Sequence, residues 1–394
     1  MTGNQAPFGY VMAHFVEDPH RHAEKIYLSL SRGEDPARWF RLNGGEPILE
    51  STRGTTGLRD PHLVRSPAGD RFHLVATDLR VFGGDDAGWD VWSAHGSRSI
   101  MVWETDDLVN WSDGRLVEVA PPDAGMAWAP ESIYDDQLGE YVVTFSANLF
   151  DQENDPGHTR PTYSRTMYAT TKDFVTFSPA RVYLDTGSTT IDTTMIRHGG
   201  KVFRFHKDNG PAGRQLYADV VSSLFADDAV VLRERIGREQ YGDVEGPLVF
   251  KDNYADRWFL FVDQYGSAQH GYRPFVTTDL ESGGWAPYDG EFELPQNTKH
   301  GVVVPLRGGE WERLAGVTAS SVEAVAAETA AGSAPLLPGR VVVKLSDGST
   351  QERPVVWRRP DAAAWRTAGT VELSGDVAGT DVPAVATVTV VAAP

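Results

Sequence analysis

The sequence predicts an all-β protein, a five-bladed β-propeller followed by a small β-sandwich. Three observations carry this. Short apolar stretches alternate with period two between clusters of Gly, Asp, Asn and Pro, with no long amphipathic helix before about residue 310. That pattern means antiparallel strands joined by close turns. A turn of Ser/Thr and Asp leading to an aromatic recurs five times, and near residue 317 Ala, Val and Thr take over while aromatics thin out.

The strands read in order as "KIYLSLS" (25–31), "RFHLVATD" (71–78), "EYVVTFSA" (140–147), "KVFRFHKD" (201–208) and "RWFLFVDQ" (257–264). The turn signature appears as "SRGEDPARWF" (31–40), "ETDDLVNWS" (104–112), "TTKDFVTFS" (170–178) and "TTDLESGGW" (277–285), with "SSLFADDAVVL" (222–232) as a degenerate copy. Repeats of about 50 to 70 residues have the length of propeller blades, which gives a propeller over about 8–306 within a first domain of residues 1–314. Two insertions, 80–99 and 148–165, are too polar and Gly-rich for strands; long loops on a rigid scaffold shape binding sites, and these are expected to wall one end of the channel. In the tail, "RVVVKLSDGST" (340–350), "ERPVVWRR" (352–359), "GTVELSGDVAG" (369–379) and "VPAVATVTVVA" (382–392) read as successive strands of a sandwich over residues 317–394.

Composition bounds the partners. A chain of 394 residues is too long for one ordinary core. Its formal charge of −19, from 36 basic and 55 acidic residues, opposes a nucleic-acid backbone or an anionic membrane surface. The 11 Trp, 13 Tyr and 17 Phe beside so many carboxylates suit a carbohydrate, whose rings stack on aromatic faces and whose hydroxyls donate to acids, although aromatics also fill β cores. With no Cys, disulfides, thiolate metal sites and a Cys nucleophile are excluded. The first residues, "MTGNQAPFGY", lack a basic and an apolar region, and no apolar run is long enough to span a membrane as a helix. Secretion, with its signal outside this sequence, is the expectation, cytoplasmic residence the alternative; a monomer is expected.

In a propeller the strand that opens each blade lines the channel, so polar residues at those openings converge from distant parts of the chain. The openings read "GLRDPHLVRS" (57–66), "MAWAPESIYD" (126–135), "TTIDTTMIRH" (189–198) and "DVEGPLVFKD" (243–252). Each sets an acid before or inside an apolar stretch: Asp60, Glu131, Asp192 and Glu245. One such acid is ordinarily a turn or cap; four in corresponding places point to a site.

Through the "RDP", "WAPE", "ID" and "EGP" stretches, in that order, most of residues 8–306 resembles glycoside hydrolase family 43, five-bladed propellers that cleave furanose and xylose linkages. The resemblance implies Asp60 as general base, Asp192 as the residue that tunes and orients the acid, and Glu245, before Gly246-Pro247, as general acid. The chemistry asks for such a set: an inverting glycosidase needs one carboxylate to activate water and one protonated acid for the leaving oxygen, so burial or a nearby negative charge must keep Glu245 protonated.

Trp128 is either a stacking platform or a core tryptophan, and Glu131 either holds sugar hydroxyls or fixes the channel lining. Lys207, Gln264 and Arg273 either reach the site or are solvated surface residues. His300, in "NTKHGVVVPL" (297–306), falls where a last strand would close the propeller; the resemblance implies calcium or water in the channel beside it, the other reading being a buried, hydrogen-bonded histidine. No cofactor is expected for the chemistry itself.

The expected activity is an exo-acting inverting glycosidase on an oligo- or polysaccharide with terminal furanose or xylose, foremost an α-L-arabinofuranosidase, with β-D-galactofuranosidase and β-D-xylosidase as alternatives. A related fructan-cleaving propeller family would need an Asp nucleophile near the N-terminus, where only "VEDPHRHAEK" (16–25) stands. A sugar-binding propeller without catalysis is the rival from another class.

Overall fold

The computed structural model describes residues 6–17, 24–265 and 271–392. Residues 18–23 of "VEDPHRHAEK" lie outside them. The described chain is built almost wholly of strands. It begins with β1 (Pro7–Val16), β2 (Lys25–Arg32) and β3 (Asp35–Arg41).

Four antiparallel sheets of four strands then follow in chain order, each strand pairing with its predecessor. The first holds β4 (Leu58–Arg65), β5 (Phe72–Asp78), β6 (Ser99–Thr105) and β7 (Arg115–Glu118), with helix α1 (Trp89–His95) between β5 and β6. The second holds β8 (Trp128–Asp135), β9 (Glu140–Asn148), β10 (Ser164–Thr171) and β11 (Arg181–Leu184). The third holds β12 (Thr190–His198), β13 (Lys201–Asp208), β14 (Gln215–Val221) and β15 (Val230–Arg233). After the one-turn helix α2 (Arg238–Tyr241), the fourth holds β16 (Val244–Lys251), β17 (Trp258–Gln264), β18 (Gly271–Thr277) and β19 (Ala286–Pro287). The next strand, β20 (Lys299–Arg307), pairs with β1 and completes a fifth four-stranded sheet in the order β20-β1-β2-β3.

The recurring turn joins the third and fourth strands of every one of these sheets. In three of them, at Thr105, Thr171 and Thr277, the mechanism is the same: a Thr hydroxyl and the Asp two residues on accept backbone N–H groups that follow. Thr105 Oγ1 accepts from Leu108 N at 3.0 Å and Asp107 Oδ1 from Asn110 N at 2.7 Å. Thr171 and Asp173 repeat this with Phe174 N and Thr176 N, both at 2.9 Å. The residue after the Asp is driven inward, so Leu108, Phe174 and Leu280 are all buried, as is Leu224 in the degenerate copy, where a Ser stands in place of the Asp. Apolar faces of successive sheets pack together: Val75 and Val102 meet Val143 and Phe145 in one cluster, Val142 meets Val202 and Val221 in another, and Phe203 and Phe205 meet Leu260 and Val262 in a third.

Contacts link β4 to β8, β8 to β12 and β12 to β16. Every one of these first strands carries a β-bulge near its start, where two residues face one on the partner. The bulged residues are Asp60, Ala129, Asp192 and Gly246, at φ of 49°, 47°, 53° and 49°. Three are followed by Pro, which a bulge tolerates because that residue needs no ladder donor.

These bulges correct the expectation that Asp60, Glu131, Asp192 and Glu245 hold corresponding places. Only Asp60 and Asp192 do; Glu131 lies two residues past the bulge position and Glu245 one before it.

By contacts the chain divides into two compact units, one of residues 12–29 and 37–304, the other of residues 1–11, 30–36 and 305–394. The second contains α3 (Glu310–Ala315), β21 (Ala319–Val322), β22 (Val325–Ala330), β23 (Arg340–Leu345), β24 (Thr350–Trp357), β25 (Gly369–Val377) and β26 (Ala384–Val391). The last six are ordered β21-β23-β24-β25-β26-β22, with β22 and β26 parallel. β23 to β26 are the strands expected from the tail's alternation. Inside this unit Arg353 is fully buried, donating to Glu312 Oε1 at 2.6 Å and Gly379 O at 3.0 Å, with its guanidinium 4.2 Å from the centre of the Phe8 ring.

Candidate active site

A cavity of about 610 Å³ opens at the starts of the first strands. Asp60, Asp192, Glu245 and His300 all line it. Its wall comes from the two long insertions, Trp89, Asp90 and Ser93 from one and Asn148, Thr162 and Ser164 from the other. The expectation that these loops enclose one end therefore holds.

The bulges place the acids. Asp60 Oδ2 accepts the Thr77 hydroxyl at 2.8 Å, and Thr77 Oγ1 in turn accepts Ala129 N at 2.7 Å. Asp192 Oδ2 accepts Gly246 N at 3.1 Å. In both cases the backbone N–H of one bulge is spent on locking an aspartate of the preceding sheet, and Gly246, next to Glu245, thereby sets Glu245 beside Asp192. Gly246 is required twice over: its φ is positive, and a Cβ there would stand 2.8 Å from Cγ of His300. The close neighbour for which this glycine makes room is thus β20.

His300 Nδ1 lies 3.2 Å from Asp60 Oδ1. Burial disfavours its charge, but Asp192, Asp60 and Glu131 outweigh that and raise its pKa to about 10. Burial likewise pushes Asp60 up, yet His300, Arg59 and the Thr77 hydroxyl hold it below the ordinary aspartate value. For Glu245 the balance falls the other way: burial, with Asp192 and Asp263 adding to it, outweighs Lys299 and His300 and pushes its pKa up to about 8. Asp192 is also raised, by burial first, against His300. At neutral pH the cavity therefore holds an ionised Asp60 and a protonated Glu245.

The other expected residues divide. Trp128 lines the cavity, its ring 5.9 Å from that of Trp89 and nearly perpendicular to it. Glu131 sits behind the cavity, buried, 3.7 Å from His62 Nε2, with a pKa pushed to about 8, chiefly by burial. Lys207 is buried rather than solvated, donating to Gln215 at 3.1 Å and lying 5.3 Å from the centre of the Tyr265 ring, which does line the cavity. Gln264 and Arg273 bind each other at 2.8 Å and Gln264 donates to Tyr241 O; neither is among the described residues that line the cavity.

Sequence reasoning missed Arg59, Glu17, Lys299 and Asp263. Arg59 is buried against Glu24 at 2.8 Å. Lys299 Nζ forms an ion pair with Asp263 Oδ2 at 3.1 Å, without hydrogen-bond geometry, and stands 3.8 Å from Glu17. A lysine directly before His300 and an aspartate inside the apolar run of β17 were the available signals.

Calcium calls for six to eight oxygen ligands. The residues near His300 do not fit it: Nδ1 is engaged with Asp60, and among the described residues no group of three or more His, Asp or Glu side chains is disposed to hold a metal.

A family model described as "Probable glycosyl hydrolase domain", related to glycosyl hydrolase family 43, matches residues 6–312, and one described as "Bacterial Ig-like domain (group 4)" matches residues 322–380. An alpha-L-arabinofuranosidase of Bifidobacterium longum subsp. longum is 31% identical over 310 residues, covering 69% of this chain and 28% of that protein, so the chain spans little more than a quarter of its relative's length. Among solved structures, a thermostable family-43 glycoside hydrolase aligns at 17% identity and a TM-score of 0.45 over 80% of this chain and 94% of that one. The catalytic domain of a Coprinopsis cinerea GH62 alpha-L-arabinofuranosidase aligns at 15% and 0.41 over 61% and 70%. The family match takes in every carboxylate of the cavity, and the chain belongs to the glycosyl hydrolase 43-related family of glycoside hydrolases.

Proposed function

We propose that this chain is an inverting, exo-acting α-L-arabinofuranosidase, folded as a five-bladed β-propeller over residues 1–314 with an immunoglobulin-like β-sandwich over 317–394. The propeller is supported by the five four-stranded sheets and by the circuit of first strands: β4, β8, β12 and β16 touch in turn, Gly246 abuts His300 on β20, and His300 reaches Asp60 on β4.

The observation that carries the activity is the opposite protonation of two acids in one cavity, Asp60 held low and Glu245 held at about 8. Asp60 takes a proton from the attacking water. Glu245 gives its proton to the leaving oxygen, while burial and the Asp192 charge keep it protonated beforehand and Asp192 fixes its backbone neighbour. Water attacks as the glycosidic bond breaks, so the anomeric configuration inverts. His300 holds Asp60 in place through Nδ1. The walls built by 80–99 and 148–165 support a terminal-residue pocket, and the named activity of the Bifidobacterium relative supports arabinofuranose.

The test is a panel of nitrophenyl α-L-arabinofuranoside, β-D-galactofuranoside and β-D-xyloside, with the product anomer followed by NMR. Preferred turnover of the arabinofuranoside with the β-anomer formed first is expected. Preference for either other sugar moves the substrate assignment; first release of the α-anomer from the arabinofuranoside, or of the β-anomer from either β-glycoside, overturns inversion.

A further inference from the structure

We infer that Trp89 is the stacking platform of a leaving-group subsite, holding the sugar to which the cleaved residue is attached and so favouring oligosaccharides over small glycosides. The inference rests on the glycosidase reading above and adds a specificity-determining residue to it.

Trp89 opens α1, on the wall of the cavity. It is 54% exposed, while Trp92, one turn later on the same helix, is 9% exposed. Among the described residues Trp89 is the one tryptophan left exposed. A loop that folds one indole inward and leaves its neighbour in water, at the lip of a cavity floored by carboxylates, is not filling a core.

The ring is nonetheless held firmly. It stands nearly perpendicular to Trp92 at 5.4 Å and to Trp128 at 5.9 Å, with the Arg59 guanidinium 5.8 Å from its centre. The helix beneath it is clasped by the second insertion: His158 Nδ1 engages Ala94 O at 2.7 Å, and its imidazole is stacked between Phe150 at 4.1 Å and His95 at 5.4 Å. A platform fixed in advance loses little freedom on binding. Asp90 and Ser93, on the same helix and also lining the cavity, supply acceptors for the hydroxyls of a stacked sugar. Trp89 thus joins an apolar face to polar edges at the mouth of the site, the combination by which protein sites take a ring that is apolar on its faces and polar around its rim.

The experiment compares kcat and KM of the full chain, Trp89→Ala and Trp89→Phe on an arabinofuranosyl oligosaccharide and on methyl α-L-arabinofuranoside, whose leaving group is too small to stack. Trp89→Ala should raise KM for the oligosaccharide about tenfold or more, the size typical of a truncated aromatic anchor, with kcat little moved. The loss on the methyl glycoside should be at least fivefold smaller, and Trp89→Phe should recover most of the oligosaccharide KM. Equal losses on both substrates, or no loss on the oligosaccharide, overturn the inference. If the alanine variant fails to fold, Trp89→Leu, which keeps bulk without a π face, takes its place. If the native chain cleaves neither substrate, the functional reading fails separately, and calorimetric binding of the oligosaccharide to native protein and to Trp89→Ala still decides: weakened binding supports the platform and equal binding overturns it.

Discussion

The backbone N–H of Gly246 donates to Asp192 Oδ2 at 3.1 Å, so the residue next to the proposed acid is tied to the carboxylate that helps keep that acid protonated. That contact helps fix the position of Glu245, whose pKa burial raises first and the Asp192 charge raises further.

Gly246→Ala should be costly. The new Cβ would meet the His300 ring at 2.8 Å on a backbone at φ 49°, and backbone strain of that kind costs on the order of 1–3 kcal/mol before any clash. We expect activity on a nitrophenyl glycoside to fall by more than about tenfold, with a lower midpoint of thermal unfolding. Native rates with a native melting curve would contradict the packing described.

Asp60→Asn and Glu245→Gln should each lower kcat/KM by at least about 10²- to 10⁴-fold without unfolding the protein. Asn suits the positive φ at residue 60, so loss of the base is not confounded by backbone strain. Circular dichroism alongside steady-state kinetics checks both halves; activity near native in either variant removes that residue from the mechanism.

The pH profile follows from the signs. Glu245 acts protonated, so kcat/KM should fall as pH rises through about 8. Asp60 acts ionised and is held below the ordinary aspartate value, so the acid limb should lie below that value. In Asp192→Asn, where Asn again suits the positive φ, the negative charge beside Glu245 is gone, and the alkaline limb should move to lower pH. An alkaline limb unmoved in that variant would show that burial alone sets the pKa of Glu245.

Arg353→Met should lower the stability of the full chain by about 3–5 kcal/mol, because it leaves Glu312 buried without its partner. The double variant Arg353→Met with Glu312→Leu should recover much of this, as urea unfolding would report.

Much of the fold was legible because the sheets repeat local instructions, a period-two strand throughout and a Thr-x-Asp turn in three of the five, and both are written in neighbouring residues. The strands β21 and β22 escaped notice because "ASSV" and "VAAETA" are too weakly apolar to stand out. The site was legible to a lesser degree. Searching for acids found Asp60, Asp192 and Glu245 but set Glu131 level with them; the dipeptides Asp60-Pro61, Ala129-Pro130 and Gly246-Pro247 mark the true register, because the bulge makes room for proline. Lys207 reads as solvated since a lysine near a strand end ordinarily is, whereas here it is buried, which lowers its pKa, with Glu245, Asp192 and Asp243 offsetting only part of that. Lys299 and Asp263 pair across about 36 residues of chain, a relationship that only three-dimensional closure reveals.

The hydrogen bonding of β20 to β1 joins segments nearly 300 residues apart. During synthesis β1 must wait with one bare edge, a template for unwanted pairing, until β20 has emerged. Contacts this distant in sequence slow folding, and because Asp60 receives His300 only from that late strand, a nascent chain that has not yet made β20 holds Asp60 without this partner: the surroundings of the carboxylate are completed only when the sheet closes.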